Sequence, residues 1–163
     1  MVATTDISTA VCDFLKTNAL AATLRTLVQG GATNILESGD VTESVLAAAV
    51  VARRTANTLS KVLAVSVQDA GERPDKQIPR HFFQFVVLRV LDRGRGYRNV
   101  REVRNELMRI MTITPFHANV LSTVDKGILT VDYDDRSGHQ WDSTFAVDYE
   151  AISYSFRIVK REV

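Results

Sequence analysis

Three sets of residues in this sequence are of types that could do chemistry. The first is Gly94-Arg95-Gly96, which follows a hydrophobic run and precedes a helical pattern, as a phosphate-binding loop would. It lacks both the GxGxxG spacing and GxxxxGK followed by Ser or Thr, so we interpret it as a turn flanked by glycines. Arg93, Arg95 and Arg98 could still hold an anion where the helix begins, or meet carboxylates of another copy of the chain.

The second set is the acidic run DYDDRSGHQWD, residues 132–142. Its spacing does not fit a calcium loop, because Arg136 occupies position 5 and Ser143 occupies position 12, where a bidentate Glu belongs. We therefore interpret this run as a turn between two strands.

The third set comprises the metal-ligating and nucleophilic side chains. His81, His117 and His139 are scattered, without HExxH or Cys/His spacing. Cys12 has no nearby His to activate it, and its place in a helical pattern predicts a small buried group. The sequence thus predicts no catalytic residue, no metal and no cofactor, and we expect no enzymatic activity.

Composition bounds the class of protein. The chain has 163 residues, of which 45% are hydrophobic and 24% charged, and its net charge is +1. This favours one globular domain and argues against binding of nucleic acid by overall charge. The charge is uneven, because residues 80–109 hold eight Arg against three acidic residues, whereas residues 125–163 hold eight acidic residues against five basic ones. Opposite charge on two surfaces suits head-to-tail contact between copies, and two solvated faces would show the same distribution.

The single cysteine and the short apolar runs indicate the compartment. One cysteine allows no internal disulfide, so the fold should tolerate a reducing cytoplasm. The longest apolar run, residues 45–52, is far shorter than the roughly 20 residues of a membrane span. We expect neither a secretory signal nor a membrane segment.

Hydrophobic periodicity places the elements of the N-terminal part, about residues 8–54. The predicted elements are a helix over 8–28 stopped by Gly30-Gly31, a loop over 31–41, and a helix over 43–54 capped by Thr42. The remainder, about residues 59–163, is predicted to hold a sheet and a further helix.

Residues 82–91 are the strongest predicted strand and are apolar on both alternating faces. One face carries Phe83, Phe85, Val87 and Leu91, and the other carries Phe82, Val86, Leu88 and Val90. Helices of the same chain can cover one face; the other faces either the rest of the core or a neighbouring subunit. A strand over 59–68 precedes it, and residues 69–79 between them predict a loop that could form a hairpin arm.

Residues 99–111 predict an amphipathic helix. Asn99 is placed to cap it, with Glu102 three residues later as in a capping box. Arg101 and Arg104 lie largely off its apolar face. That face consists of Val100, Val103, Leu107, Ile110 and Met111.

Three further strands are predicted over residues 127–133, 141–147 and 151–160. Strands and helices are mixed along the chain without a βαβ repeat. The predicted fold class is therefore α+β, with a mostly antiparallel sheet of about four to five strands flanked by helices in a single compact domain.

The order of features in residues 80–163 resembles the tail terminator, or tail-completion, proteins of tailed bacteriophages. A hydrophobic strand ends in a charged Gly turn (FQFVVLRVLDRGRGY), and an amphipathic helix follows (VREVRNELMRIM). A late strand carries the acidic loop DYDDRSG, and a closing strand runs from Asp148 to Glu162. The resemblance covers about half of the chain.

The resemblance implies a non-enzymatic structural protein of the virion, present in the host cytoplasm during assembly. Members of the family form a hexameric ring that ends the tail tube, stops its polymerisation and faces connector or head-completion proteins. DNA passes through the lumen without sequence-specific binding. By analogy, subunit or tube contacts are expected at Arg93, Arg95, Arg98, Arg101, Asp134, Asp135 and Arg136. The arm residues expected to dock on the tube are Glu72, Arg73, Asp75 and Lys76.

Three alternatives stay open at this point. The chain could be a neck or head-completion adaptor between portal and tail. It could be a small nucleic-acid-binding module, for which DNA affinity should fall steeply with salt. It could also be an enzyme whose site the sequence does not reveal, which would require a deep pocket with perturbed titratable groups.

Overall fold

Four α-helices and six β-strands make up the part of the chain that this computed structural model describes, residues 6–93, 97–112, 116 and 127–159. The helices are α1 (Ile7–Thr17), α2 (Ala22–Thr26), α3 (Glu43–Ala56) and α4 (Tyr97–Thr112). The strands are β1 (Ile35–Glu37), β2 (Ala64–Pro74), β3 (His81–Asp92), β4 (Gly127–Arg136), β5 (Gln140–Asp142) and β6 (Val147–Val159).

The six strands form one sheet in the order β1-β2-β3-β6-β4, with β5 also paired to β6. β1 runs parallel to β2, and the other pairings between the named strands are antiparallel. An isolated parallel bridge joins Val28 to Val62. At the centre, β3 pairs with β6 along its whole length, from His81 opposite Val159 to Asp92 opposite Asp148. This confirms the predicted α+β class with a mostly antiparallel sheet, which has six strands instead of four to five.

The N-terminal helix is shorter than predicted. α1 ends at Thr17 because Asn18 adopts an extended conformation, and its side chain accepts a hydrogen bond from the Leu20 backbone N–H at 2.9 Å. Such a local bond competes with helix continuation. A 3-10 turn (Ala19–Ala21) then leads into the short α2, so the single helix predicted over residues 8–28 is two.

Helix α3 forms where its local signals predict. Thr42 Oγ1 accepts a hydrogen bond from the Val45 backbone N–H at 3.3 Å, which confirms the predicted N-cap. The helix ends at Asn57, whose left-handed φ of 53° closes the last turn. The predicted loop before it contains two 3-10 turns and the three-residue strand β1, which the sequence pattern did not reveal.

Strand β2 begins later and extends further than predicted. It starts at Ala64 rather than residue 59 and continues through Pro74, so most of the predicted loop over 69–79 is strand paired with β3. A β-bulge between Asp69 and Glu72 interrupts this pairing, and Gly71 there has a φ of +97° that only glycine adopts readily. The loop composition of residues 69–79 therefore corresponds to this bulge and to the turn that follows Pro74.

Helix α4 starts two residues earlier than predicted, at Tyr97, which makes the predicted capping box wrong. Asn99 lies within the first turn, and its side-chain Nδ2 donates to the Leu59 carbonyl at 3.0 Å. The predicted apolar face is confirmed as buried. It comprises Val100, Val103, Leu107, Ile110 and Met111.

The C-terminal strands are longer than predicted, since β4 continues to Arg136 and β6 begins at Val147. β6 shows the predicted alternation. Its buried side chains are Ile152, Tyr154, Phe156 and Ile158. The predicted strand over 141–147 is the short β5, which ends at Asp142, followed by a turn.

The helices cover the two faces of the sheet unequally. α1, α2 and α4 bury one face in the main core, where Val86, Leu88 and Val90 of β3 lie. On the opposite face, α3 covers only one end, where Leu46 and Ala49 share a second cluster with the Leu91 side chain and others. The rest of that second face has only half-buried side chains along β3.

The thiol of Cys12 is buried in the main core, as predicted. Cys12 is 4% exposed, and burial raises the pKa of its thiol from 9.0 to about 11. We expect a thiol reagent at pH 8 to modify the native protein at least about 100-fold more slowly than the urea-unfolded chain, since the thiolate is the reactive form. Equal rates in the two states, measured by absorbance of the released chromophore, would contradict this burial.

Candidate functional site: the open face of the sheet

The predicted contact residues around the Gly94-Arg95-Gly96 turn are only partly described. Arg95 lies outside the described residues, and of Arg98 only the helical backbone is described. Arg93 donates to Glu43 Oε1 at 2.5 Å and to the Phe145 carbonyl at 2.9 Å. These bonds engage Arg93 within its own chain. Arg101 is exposed on α4.

The predicted acidic contact residues lie on β4, which is an edge strand of the sheet. Asp134, Asp135 and Arg136 are exposed there, as is Asp132, which was not among the predicted contact residues. Asp134 Oδ2 accepts a hydrogen bond from the Ser153 hydroxyl at 3.1 Å, and Asp135 accepts from the Arg136 backbone N–H at 2.7 Å. The structure thus gathers these charges along one edge.

The predicted docking arm is the end of the β2–β3 hairpin. Glu72 and Arg73 belong to β2 itself, while Asp75 and Lys76 begin the turn. The Asp75 backbone N–H donates to the His81 carbonyl at 2.8 Å, which closes the hairpin. Main-chain pairing therefore holds the arm as part of the sheet.

We call the part of the sheet not covered by α3 the open face, and its apolar centre lies on β3. Phe83, Phe85 and Val87 are half-buried there, opposite Arg157, Ser155 and Ser153 of β6. The sequence left open whether the second face of this strand meets the rest of the core or a neighbouring subunit. That second face is the open face. No described helix covers it beyond the end occupied by α3.

Arginines lie over the aromatic rings of the open face. The Arg73 guanidinium is 5.3 Å from the centre of the Phe85 ring and 6.0 Å from that of Phe83. Arg157 is 5.3 Å from the Phe83 ring, and Arg89 is 5.6 Å from the Tyr149 ring. Cation–π contacts of this kind are worth about 0.5–1 kcal/mol at exposed sites, and they hold planar guanidinium groups against the surface.

A cleft of ≈ 420 Å³ lies at the base of the arm, and we call it the arm cleft. Arg157 forms an ion pair with Asp75 inside it. Hydrogen bonds from the Gln77 backbone and from Arg157 lower the pKa of Asp75, so this carboxylate is ionised at neutral pH. The lining residues are Arg73, Pro74, Asp75, Lys76, Gln77, Phe83 and Arg157. Three cations against one anion leave the cleft positively charged.

Two buried ion pairs lie away from the open face, and sequence reasoning found neither. Arg104 Nη1 donates to Glu150 Oε2 at 2.8 Å, with the two side chains 9% and 1% exposed. Arg53 pairs with Asp92, which is 0% exposed. Each pair joins residues about 40 positions apart or more, so no local pattern could have revealed it.

The surroundings of Asp92 are the nearest approach to a catalytic arrangement in the described residues. Burial raises the pKa of Asp92, with Arg53 opposing that rise, and Asp148 lies opposite it across the strands. His139 Nε2 lies 2.8 Å from Asp148. Because Arg53 closes over Asp92 and no solvent reaches the carboxylate, the arrangement serves to join α3 to the sheet.

His139 and Asp148 bring two potential metal ligands together in the described part of the chain. Within it, no group of three or more His, Cys, Asp or Glu side chains is placed to hold a metal ion. None of the helices described above is long and apolar enough to cross a membrane.

Comparison with known proteins adds no functional assignment. The sequence matches no protein-family model and no curated protein. A crystal structure from Akkermansia muciniphila is similar over 100% of this chain and 82% of its own, with 10% sequence identity and a TM-score of 0.35. Similarity at that level supports no argument about function, so the function has to be inferred from the residues of this chain.

Proposed function

We propose that this protein is a structural, non-enzymatic virion protein that assembles into a ring and caps the end of a phage tail tube. The observation that supports it is the open face, where the central strand leaves Phe83, Phe85 and Val87 half-exposed on one side. A strand that is apolar on both faces is typical of a sheet that is covered on both sides. Another protein surface is the natural cover for such a patch.

Charge on the two sides of the sheet favours a second copy as that surface. The arm cleft carries Arg73 and Lys76 at the end of the β2–β3 hairpin, with Arg157 of β6 paired to Asp75, whereas the β4 edge carries Asp132 and Asp134. Opposite charges on opposite sides of one protomer suit a head-to-tail contact, and such contacts close into rings when the rotation allows.

Irregularities at the edges of the described sheet oppose unlimited edge-to-edge pairing between copies. β4 has pairing irregularities between Ile128 and Thr130 and between Tyr133 and Asp135, and β2 has its bulge at Asp69 to Glu72. Bulges and charges on edge strands oppose edge-to-edge growth. This supports an assembly of limited size, made through side chains of the open face.

The proposal extends to the partners and location that the family resemblance implies. The ring would contact the tail tube protein on one side and a connector or head-completion protein on the other, with DNA passing through its lumen. It would act in the virion and assemble in the host cytoplasm, with no enzymatic activity, cofactor or membrane partner.

The first test is the mass of the protein in solution. We expect light scattering to give about six times the 18.1 kDa of one chain, alone or with tail tube protein as template, and electron microscopy to show rings. Protein that stays monomeric under both conditions would overturn the proposal. Salt-dependent DNA binding by that monomer would favour the nucleic-acid-binding alternative.

Substitution of Phe85 tests whether the open face makes the contact. We expect Phe85→Asp to weaken self-association at least about 30-fold, the effect of losing one interface hot spot of ~2 kcal/mol. Leu20→Asp is the matched control, because Leu20 is 42% exposed in the turn between α1 and α2, which cover the other face of the sheet. Loss of assembly in both variants, or in neither, would contradict the role of the open face.

A further inference from the structure

We infer that the arm cleft of one copy receives the carboxylates of Asp132 and Asp134 from strand β4 of a second copy. This inference rests on the proposed self-assembly, and it replaces Arg93 with the arm cleft as the cationic half of the contact. The cleft carries an excess of positive charge, β4 presents exposed carboxylates, and one chain does not bring Arg73 of the cleft to those carboxylates.

The arm cleft has cationic groups in excess of its own acid. Asp75 is paired with Arg157, and Arg73 and Lys76 add two further positive charges to the same lining. Stacking on Phe85 fixes the Arg73 guanidinium in an exposed position. A planar guanidinium held in this way is suited to binding a carboxylate through two parallel hydrogen bonds.

Strand β4 presents carboxylates that are oriented yet exposed. Asp132 Oδ2 accepts from the Thr130 hydroxyl at 3.0 Å, and Asp134 Oδ2 accepts from the Ser153 hydroxyl at 3.1 Å. A hydroxyl donor fixes a carboxylate without neutralising it, and each carboxylate retains capacity for further donors. These two residues therefore meet a cation with little loss of side-chain freedom.

A single chain does not bring Arg73 and Asp132 together. β3 and β6 lie between β2 and β4, so three strand spacings separate the two residues, roughly 14 Å at ~4.8 Å per step. Arg157 lies on β6, next to β4 and opposite Thr130, but Asp75 of its own chain already engages its guanidinium. Contact between Arg73 and a β4 carboxylate therefore requires a second copy.

The same charges argue against nucleic acid as the occupant of the cleft. Asp75 lies in the cleft, and Asp132 and Asp134 lie on the β4 side of the same sheet. Successive phosphates of a nucleic acid that runs across this face would meet these carboxylates, whereas the two side-chain carboxylates of a second copy need reach only into the cleft.

The test uses reversal of charge on each side of the contact in the full chain. One variant carries Arg73→Glu with Lys76→Glu, and the other carries Asp132→Lys with Asp134→Lys. We expect each variant alone to lose self-association by more than about 100-fold, because like charges then face each other. An equimolar mixture of the two, and a chain with all four substitutions, should recover association to within about tenfold.

Two controls separate charge pairing from misfolding. The milder pair Arg73→Gln with Lys76→Gln should weaken association by roughly tenfold with an unchanged melting temperature. Asp13→Lys, an exposed reversal on α1 at the far side of the main core, should leave association unchanged.

The outcomes distinguish this inference from the proposed function. A wild-type ring with unaffected reversal variants would overturn the inference and leave the ring intact. Loss of association without recovery in the mixture would also overturn it, since direct pairing predicts recovery. A wild-type chain that never associates would overturn both, and oligonucleotide binding lost in the Arg73→Glu, Lys76→Glu variant would assign the cleft to nucleic acid.

Discussion

Replacing Glu150 with alanine should lower the free energy of unfolding by about 3–5 kcal/mol, which is a large part of the stability of a domain this size. Glu150 is buried beneath α4, where its carboxylate accepts a hydrogen bond from Arg104. Without it, the guanidinium of Arg104 stays in the core with no anion to compensate its charge. The measurement is equilibrium unfolding in urea, monitored by circular dichroism.

Two further variants identify the cause of that loss. Glu106→Ala removes a carboxylate from a half-exposed ion pair with Arg109 on the same helix, and it should cost less than about 1 kcal/mol. Arg104→Met combined with Glu150→Leu removes both buried charges and should recover most of the stability, since apolar residues of similar volume replace such pairs well. A double variant as unstable as Glu150→Ala would show that the pair is not the origin of the effect.

The second large effect is expected at Arg53, which joins α3 to the end of β3. Arg53 donates to Asp92 and, at 3.1 Å, to the Arg93 carbonyl. Arg53→Met should cost about 3–5 kcal/mol at pH 7, because Asp92 is then a buried carboxylate without a cation. Arg54→Met, an exposed substitution at the next residue, should change stability by less than about 0.5 kcal/mol.

The cost at Arg53 should depend on pH in a defined direction. Burial already raises the pKa of Asp92 and Arg53 lowers it, so the variant raises this folded-state pKa further. A carboxyl group whose pKa is raised in the folded state binds its proton more tightly there than in the unfolded chain. The resulting stability is fully present below the unfolded pKa of about 3.9 and is lost as the pH rises through the folded pKa. The deficit of Arg53→Met relative to wild type should therefore shrink from pH 7 towards pH 4. A deficit that grows on acidification would contradict this assignment.

Local signals account for the elements that the sequence predicts well. Thr42 sits next to a helical pattern and caps α3, and the alternation of β6 requires only neighbouring residues. β1 has three residues and exists because it pairs with β2, so nothing within it marks a strand. The helix break at Asn18 depends on one side-chain hydrogen bond. Summed over a window of residues, helix propensity outweighs that single bond, so the sequence predicts an unbroken helix.

The sequence predicted which strand carries the candidate site, but not which side chains contact one another there. The two-sided apolar pattern of residues 82–91 correctly indicated a central strand, and it left open whether the second face meets the rest of the core or a neighbouring subunit. The buried ion pairs could not be predicted, because an arginine on a helix such as Arg104 looks solvated until its distant partner is known. The sequence named Arg73 as part of a docking arm, but the stacking of its guanidinium on Phe85 depends on register between two strands.

The pairing of β3 with β6 also determines how long β3 stays without its partner strand during synthesis of the chain. After β3 is complete, the ribosome must add residues 93–146 before the first residue of its central partner exists, which takes roughly 3–11 s at ~5–20 residues per second. Throughout that interval the most apolar strand of the protein has one unpaired backbone edge. Each round of synthesis therefore passes through an aggregation-prone stage whose length is set by translation speed, and capture by a chaperone during that stage should raise the yield of folded protein.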